Sequence, residues 1–259
     1  MNIMLIGDIV GRPGRRIIRE LLPGYIDEHQ LDLVVANGEN AAGGSGITPE
    51  VAEELFAAGV DVITSGNHVW DKKEIIPYLD TEDRILRPAN YPPGTPGRGL
   101  LVLKVNRNTK VAIINLSGRV FMANLDCPFQ KADALIEQLK AQTPLIIVDF
   151  HGEATSEKQA FGWYLDGRVS AVVGTHTHIQ TADERLLPQG TAYITDVGMT
   201  GPRDSVLGVK TEMVISRFLT QLPSRFEVAS GVSQFNAVLL GVNPANGKAH
   251  SIKRIQRYL

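Results

Sequence analysis

Five short apolar runs in this 259-residue chain end in side chains able to donate oxygen or imidazole nitrogen to a metal ion. Asp8 follows MLIG, Glu39 and Asn40 follow LVVANG, Asn67 and His68 follow VITSG, His151 follows IIVDF, and His176 and His178 follow AVVGT. Four of the six histidines fall in this set, and the other two, His29 and His250, read as ordinary surface residues. Each residue alone has a plain explanation: Asp8 could cap a helix or turn, Glu39-Asn40 could sit in a solvated glycine-rich loop, and a lone His151 is more often structural. GNH at 66–68 and HTH at 176–178 say more, because neighbouring glycines free the backbone to turn a ligand inward. The coincidence of all five favours one site.

One Asp, one Glu, two Asn and several His, without thiolates, suit two divalent transition ions such as manganese, iron or zinc. Calcium or magnesium would prefer more oxygens, and there are too many donors for one tetrahedral zinc. Two such ions can clamp a phosphate, bind a hydroxide between them at neutral pH and stabilise charge on attacking and leaving oxygens. That is phosphoester hydrolysis. A histidine not consumed as a ligand would protonate the departing alkoxide, and His68, beside Asn67, is the candidate.

Strands must carry these residues to one place. Asn2–Ile6, Asp32–Ala36 and Val60–Thr64 read as strands, separated by helices at Arg15–Glu28, with Pro23 expected to kink or end it, and after the Thr48-Pro49-Glu50 opening. Asp71–Leu79 reads as a short helix with Asp71 and Glu74 spaced as a capping box. YPPGTPGRG at 91–99 is a loop. Leu100–Val105 and Val111–Leu116 are expected strands joined through Asn106–Lys110. Then come a helix at Phe129–Ala141, a strand at Leu145–Phe150, a helix at Ser156–Leu165 and a strand at Val169–Val173. Further strands are expected at Thr191–Thr195, Phe226–Ala229, Phe235–Val242 and Lys248–Ile255, with a helix at Lys210–Leu219. Such alternation predicts parallel strands with crossover helices, and the strand-rich end suggests two packed sheets with helices outside. In open α/β sheets ligands bind beyond the carboxyl ends of strands, which is where the donor residues fall. With no linker or repeat, 1–259 reads as one domain.

Composition narrows the function. With 26 basic and 28 acidic side chains the net charge is −2, which gives no general affinity for a polyanion. The cluster Arg12, Arg15, Arg16 and Arg19 reads as a solvated helix face. The single Cys127 leaves no internal disulfide and fits a reducing cytoplasm. No secretory signal or membrane-length apolar run is evident, so a soluble cytoplasmic protein is expected. Ser45 in GGSGI misses the last glycine of a serine-hydrolase elbow, and Gly241–Lys248 has one residue too many for a phosphate loop. Arg203, Asp204 and Arg119 could reach a substrate but are equally explained by turns, so none joins the catalytic set.

GD at 7–8, GEN at 38–40, GNH at 66–68, HGE at 151–153 and GTHTH at 174–178 together resemble the ordered blocks of the calcineurin-like metallophosphoesterases. More narrowly, GDIVGRPGR, NGENAAGG, SGNHVWD, DFHGEATSEK, GTHTHIQTAD and TDVGMTGPRDSVLG resemble the YmdB-type phosphodiesterase branch over nearly the whole chain. The wider superfamily usually has histidine two positions after the first aspartate and an aspartate as bridging ligand. Val10 and Glu39 stand there instead, both matching the narrower branch.

The resemblance implies an α/β fold, a four-layer α-β-β-α sandwich of two mixed sheets flanked by helices. It implies that Asp8, Glu39, Asn40 and His178 hold one ion and that Glu39, Asn67, His151 and His176 hold the other, with His68 as proton donor. It further implies hydrolysis of small phosphodiesters, including 2′,3′- and 3′,5′-cyclic nucleotides, with iron or manganese as the usual metal; zinc stays a candidate from the donor types alone. A metal-containing regulatory protein whose output depends on a partner, and a protein acting on longer RNA, stay open as alternatives, as does a homo-oligomer.

Overall fold

The computed structural model describes residues 1–106 and 109–259; the join expected at 106–110 includes residues 107 and 108, which lie outside the described residues. In chain order the first elements are β1 (Asn2–Ile6), β2 (Asp8–Ile9), α1 (Gly11–His29), β3 (Leu33–Asn37), α2 (Pro49–Ala57), β4 (Val62–Thr64), α3 (Ile75–Tyr78) and β5 (Ile85–Leu86). Next are β6 (Leu100–Lys104), β7 (Lys110–Ser117), α4 (Pro128–Leu139), β8 (Ile146–His151), α5 (Thr155–Leu165) and β9 (Ala171–Thr175). The last are β10 (Arg185–Leu186), β11 (Ala192–Ile194), β12 (Met199–Pro202), α6 (Thr211–Thr220), β13 (Ser233–Val242) and β14 (Ala249–Tyr258).

Two mixed sheets result. In the first, β1, β3, β4 and β5 run parallel, while β13 pairs antiparallel with β1 on one edge and with β14 on the other. In the second, β7, β8, β9 and β11 run parallel, closed by antiparallel β6 and β10. Side chains on a strand alternate between faces, so each sheet feeds two cores. Ile3, Leu5, Leu33 and Val35 meet Val111, Ile113, Ile147 and Val173 between the sheets. Met4, Ile6 and Val34 pack outward on Ile17, Ile18 and Leu22 of α1 and Leu55 of α2. Ala112, Ile114 and Val148 pack outward on Ala132 and Ile136 of α4 and Phe161 and Leu165 of α5. These three layers of burial make the order helix, sheet, sheet, helix, as the resemblance implies.

Local chemistry explains most elements. Thr48 caps α2 by accepting from Val51 N at 3.4 Å, with Pro49 in the first turn where its missing N–H costs nothing. Helix α1 starts four residues earlier than expected and continues through Pro23, because its Ile17, Ile18 and Leu22 face is fully buried on the first sheet and packing outweighs the lost bond. Arg12, Arg16 and Arg19 are exposed on α1 as expected, but Arg15 is not simply solvated: it donates to Glu54 at 2.7 Å and to the Ala41 carbonyl at 2.6 Å. Two expectations fail. Phe226–Ala229 forms no strand, only a single bridge from Val228 to Val209, and the helix expected from Asp71 shrinks to Ile75–Tyr78 because the Asp71 carboxylate is taken by Ser45 and His68 instead of a cap. Among the described residues no helix is long and apolar enough to cross a membrane.

Candidate metal centre

Parallel strands from both sheets end at one place. Asp8 follows β1, Glu39 and Asn40 follow β3, Asn67 and His68 follow β4, His151 is the last residue of β8, and His176 and His178 follow β9. The backbone there is tight. A Cβ on Gly7 would lie 1.8 Å from the Gly198 carbonyl oxygen, so only glycine lets the chain enter Asp8 at this height. His176 and His178 have φ of +103° and +66°, a region rarely used by residues with side chains and concentrated at functional sites.

That turn is held from beneath. Lys158 of α5, almost fully buried, donates to the Thr175 carbonyl at 2.7 Å and to Asp196 Oδ2 at 2.6 Å. Asp196 Oδ2 also accepts from the Thr177 amide at 3.0 Å. The buried ion pair therefore grips the residues on either side of His176. Breaking such a pair leaves an uncompensated charge in a low dielectric.

The donor atoms converge on His151. Its Nε2 lies 3.0 Å from Asn67 Oδ1, 3.1 Å from Glu39 Oε1 and 3.0 Å from His176 Nδ1. Its Nδ1 lies 3.0 Å from Thr175 Oγ1, whose hydroxyl donates to Asp149 Oδ1 at 2.8 Å. Asp8 accepts the His176 amide on Oδ2 at 3.1 Å, while its Oδ1 is buried without a hydrogen-bond partner, 4.0 Å from both His151 Nδ1 and His178 Nε2. Asn40 Nδ2 reaches Glu39 Oε1 at 3.3 Å and His178 Nε2 at 3.2 Å. Turning this amide by half a rotation would present its oxygen to the same place. His178 Nδ1 meets the Leu207 carbonyl at 2.9 Å; a carbonyl only accepts, so Nδ1 carries the proton and Nε2 keeps its lone pair.

These contacts fit a cationic occupant. A single nitrogen cannot donate to three acceptors, and a buried carboxylate oxygen with no donor is costly unless a charge compensates it. Burial pushes Asp8 up to about 6, partly offset by His178 and His151. Burial also acts to raise Glu39, but the charge and hydrogen bonds of His151 and His68 hold it down to about 2. Burial and the neighbouring His151 push His176 down to about 3, leaving a neutral imidazole able to bind metal. His151 is depressed by burial, yet Glu39 and Asp8 outweigh this and raise it to about 9. In chelated protein this proton stabilises the fold fully below about 6.5 and is lost as pH rises through about 9. Thermal melts in chelator should therefore fall across that window; a flat or rising profile contradicts the assignment.

Gly66 lets Glu39 and His151 meet. A Cβ there would stand 2.2 Å from His151 Nε2 and 2.5 Å from Glu39 Oε2. Gly66→Ala should weaken metal binding by about 10- to 100-fold, the size seen when the shell behind metal ligands is disturbed. Calorimetric titration would measure it, and unchanged affinity would remove Glu39 and His151 from the ion.

The family model described as YmdB-like protein matches residues 4–255. The chain belongs to the YmdB-like family. A relative from Bacillus subtilis (strain 168), named 2′,3′-cyclic-nucleotide 2′-phosphodiesterase, is 52% identical over 255 residues, 98% of this chain and 96% of that one. A crystal structure of a hypothetical protein from Thermus thermophilus superimposes with a TM-score of 0.94 at 43% identity, covering 100% of this chain and 99% of that one. A crystal structure of a novel phosphatase from Mycoplasma pneumoniae gives 0.94 at 37%, covering 100% and 93%.

All eight residues singled out from the sequence of this YmdB-like chain gather here, His68 at the rim and half-exposed. Several residues in contact with them escape a reading of the sequence. Asp71 Oδ2 holds His68 Nδ1 at 2.8 Å, and Glu153 Oε2 lies 3.1 Å from His176 Nε2. The acid two residues after His151 is a visible signal for Glu153; nothing in the spacing links Lys158 with Asp196. Arg203 lies over the Tyr258 ring at 4.4 Å, and the Arg119 backbone binds Glu157 at 3.0 Å; neither these two nor Asp204 lines the cleft.

Proposed function

We propose that this protein is a metal-dependent phosphodiesterase that hydrolyses small cyclic nucleotides, 2′,3′- and/or 3′,5′-cyclic, using two divalent ions, iron or manganese ahead of zinc. The observation that carries the reading is the partnerless buried Asp8 Oδ1, 4.0 Å from Nδ1 of His151, together with the crowding of that imidazole's Nε2 by Asn67, Glu39 and His176 at 3.0 to 3.1 Å. Asp8, Glu39, Asn40 and His178 would hold one ion, and Glu39, Asn67, His151 and His176 the other. Bound there, two ions supply charge neutralisation at a phosphate and a water of lowered pKa. The whole chain acts as one catalytic domain, in the cytoplasm.

The chain's own residues supply orientation and the proton. The Asp71 carboxylate accepts from His68 Nδ1 at 2.8 Å, so the imidazole is fixed in direction and its Nε2 is left for the substrate. His68 lines the same cleft as Glu39, His176 and His178. For a 2′,3′-cyclic substrate a water oxygen would bond to phosphorus and give up a proton to solvent, the bond from phosphorus to O2′ would break with its electron pair on O2′, and His68 would deliver a proton to O2′. The name of the Bacillus subtilis relative supports this choice of bond.

The test is elemental analysis of the purified protein followed by a screen of cyclic nucleotides and phosphomonoesters with defined metals added back. About two ions per chain and hydrolysis of diesters are expected. Metal binding without turnover of any diester would overturn the enzymatic reading in favour of a regulatory protein; turnover of long RNA alone would overturn the substrate class.

A further inference from the structure

The cleft over the donor cluster has a volume of about 460 Å³, and its lining is divided in chemistry. Polar groups such as Glu39, His68, His176 and His178 make one part. The other is apolar: Leu207, Val209, Phe226 and Val228, all from the excursion between β12 and β13 that carries α6. A phosphodiester held at the polar part must send its organic substituents somewhere, and this apolar wall is the part of the cleft that suits them.

The wall is fixed rather than draped. Val209 bridges to Val206 and to Val228, the Ala229 amide donates to the Gly208 carbonyl at 2.9 Å, and the Lys210 amide donates to the Glu227 carbonyl at 3.0 Å. Leu207 adopts φ +53°, and its carbonyl accepts the Nδ1 proton of His178 at 2.9 Å. The wall is thus registered directly to a candidate metal ligand. The glycine-rich loop after Asn40 abuts its far side, since a Cβ on Gly44 would come within 2.7 Å of Val228 Cγ2. Scattered exposed apolar side chains are ordinary. Leu207 and Phe226 differ in being half-exposed inside a concave polar cleft on a pinned backbone.

We propose that Leu207, Val209 and Phe226 form a nucleobase seat, so that the site takes nucleoside phosphodiesters in preference to base-free ones. This rests on the phosphodiesterase reading above and adds its specificity. The seat recognises the face of the base. Glu227, the carboxylate in that wall, is already paired with Lys210 at 2.6 Å and is not free to read a base edge. Adenine and uracil nucleotides should both be accepted, with the larger purine held more tightly by stacking on Phe226.

The experiment compares adenosine 2′,3′-cyclic phosphate with the cyclic phosphate of methyl riboside, which lacks a base, in the wild type, Phe226→Ala, Phe226→Tyr and Leu207→Gly. Phe226→Ala should lower the ratio of kcat/KM for the nucleoside over the base-free substrate by roughly 5- to 100-fold, the effect of removing one stacking partner, and Phe226→Tyr should restore it. Leu207→Gly removes the side chain while easing its left-handed backbone, which keeps a foldable second variant in hand. In parallel, calorimetry with adenosine 3′-phosphate and methyl riboside 3-phosphate, with and without manganese, reads the seat independently of catalysis. Equal wild-type affinity for the two phosphates, or equal losses on both cyclic substrates, would overturn the seat. Failure of the wild type to hydrolyse either substrate while still preferring adenosine 3′-phosphate would overturn the phosphodiesterase reading and leave the seat standing.

Discussion

Asp8→Ala will give a folded protein that retains fewer than two ions per chain and has lost at least about 100-fold in diester hydrolysis, since even residues behind a ligand cause losses of that order. The sharper consequence concerns chelated protein. Burial raises Asp8 from 3.8 to about 6 even though His178 and His151 partly offset it, so at pH 7 the ionised carboxylate opposes folding by roughly 3 kcal/mol. The sign follows from proton binding: between about 4 and 6 the folded chain holds the Asp8 proton that the unfolded chain has shed, so the Asp8 contribution falls as pH rises through that range, while His176, held down to about 3, contributes the opposite slope there. Removing the carboxylate lifts that opposition but also frees the His176 amide that Asp8 Oδ2 accepts at 3.1 Å, so the chelated variant at pH 7 should melt close to chelated wild type. Added manganese should then raise the melting temperature of the wild type by more than that of the variant, which keeps only the Glu39, Asn67, His151 and His176 set. A variant that melts well below the wild type in chelator would mean that Asp8 is structural and that its orphan oxygen has another explanation.

His68→Ala should keep its metal and lose turnover selectively. General acid catalysis contributes roughly 10²- to 10⁴-fold, and this should appear in kcat for substrates whose leaving group is a sugar alkoxide. A diester with a p-nitrophenolate leaving group needs no proton and should slow by less than about tenfold. The hydrogen bond from residue 68 to Glu39 Oε2 comes from the backbone amide, 3.0 Å away, and survives in alanine, so Glu39 loses only the influence of the imidazole charge. Equal slowing on both leaving groups, or loss of metal, would move His68 out of the acid role. Asp71 acts only through the imidazole, so Asp71→Asn should reproduce the leaving-group pattern at smaller amplitude.

How much of this is legible in the sequence follows from the range of each interaction. Apolar runs such as MLI and IIVDF announce strands because a buried strand needs no distant information. Donors placed after them announce a site because strand ends converge in this architecture. Helix α1 is longer than its sequence suggests because Pro23 reads locally as a kink or an end, while the packing of Ile17, Ile18 and Leu22 that overrides it is tertiary. Asp71 reads as a cap because its neighbours along the chain are visible and Ser45 and His68 as its partners are not. Phe226–Ala229 looks like a strand from its residue types, yet only Val228 finds a ladder partner, in Val209. The pairing of Lys158 with Asp196 has no signal at all: a lysine in a helix ordinarily reads as solvent-facing, and its partner lies 38 residues on.

Strand β1, which delivers Asp8, lies between β3 and β13, so one of its two neighbours comes from nearly the end of the chain. The remaining donors are divided between the two sheets, from Glu39 to His178. During synthesis an emerging polypeptide therefore owns no half-formed ion trap: the pocket comes into being only once both sheets have docked and the last third has threaded in beside the first strand. Metal uptake should accordingly be a late event, acting by mass action on finished molecules. In refolding experiments added manganese should slow unfolding far more than it speeds folding.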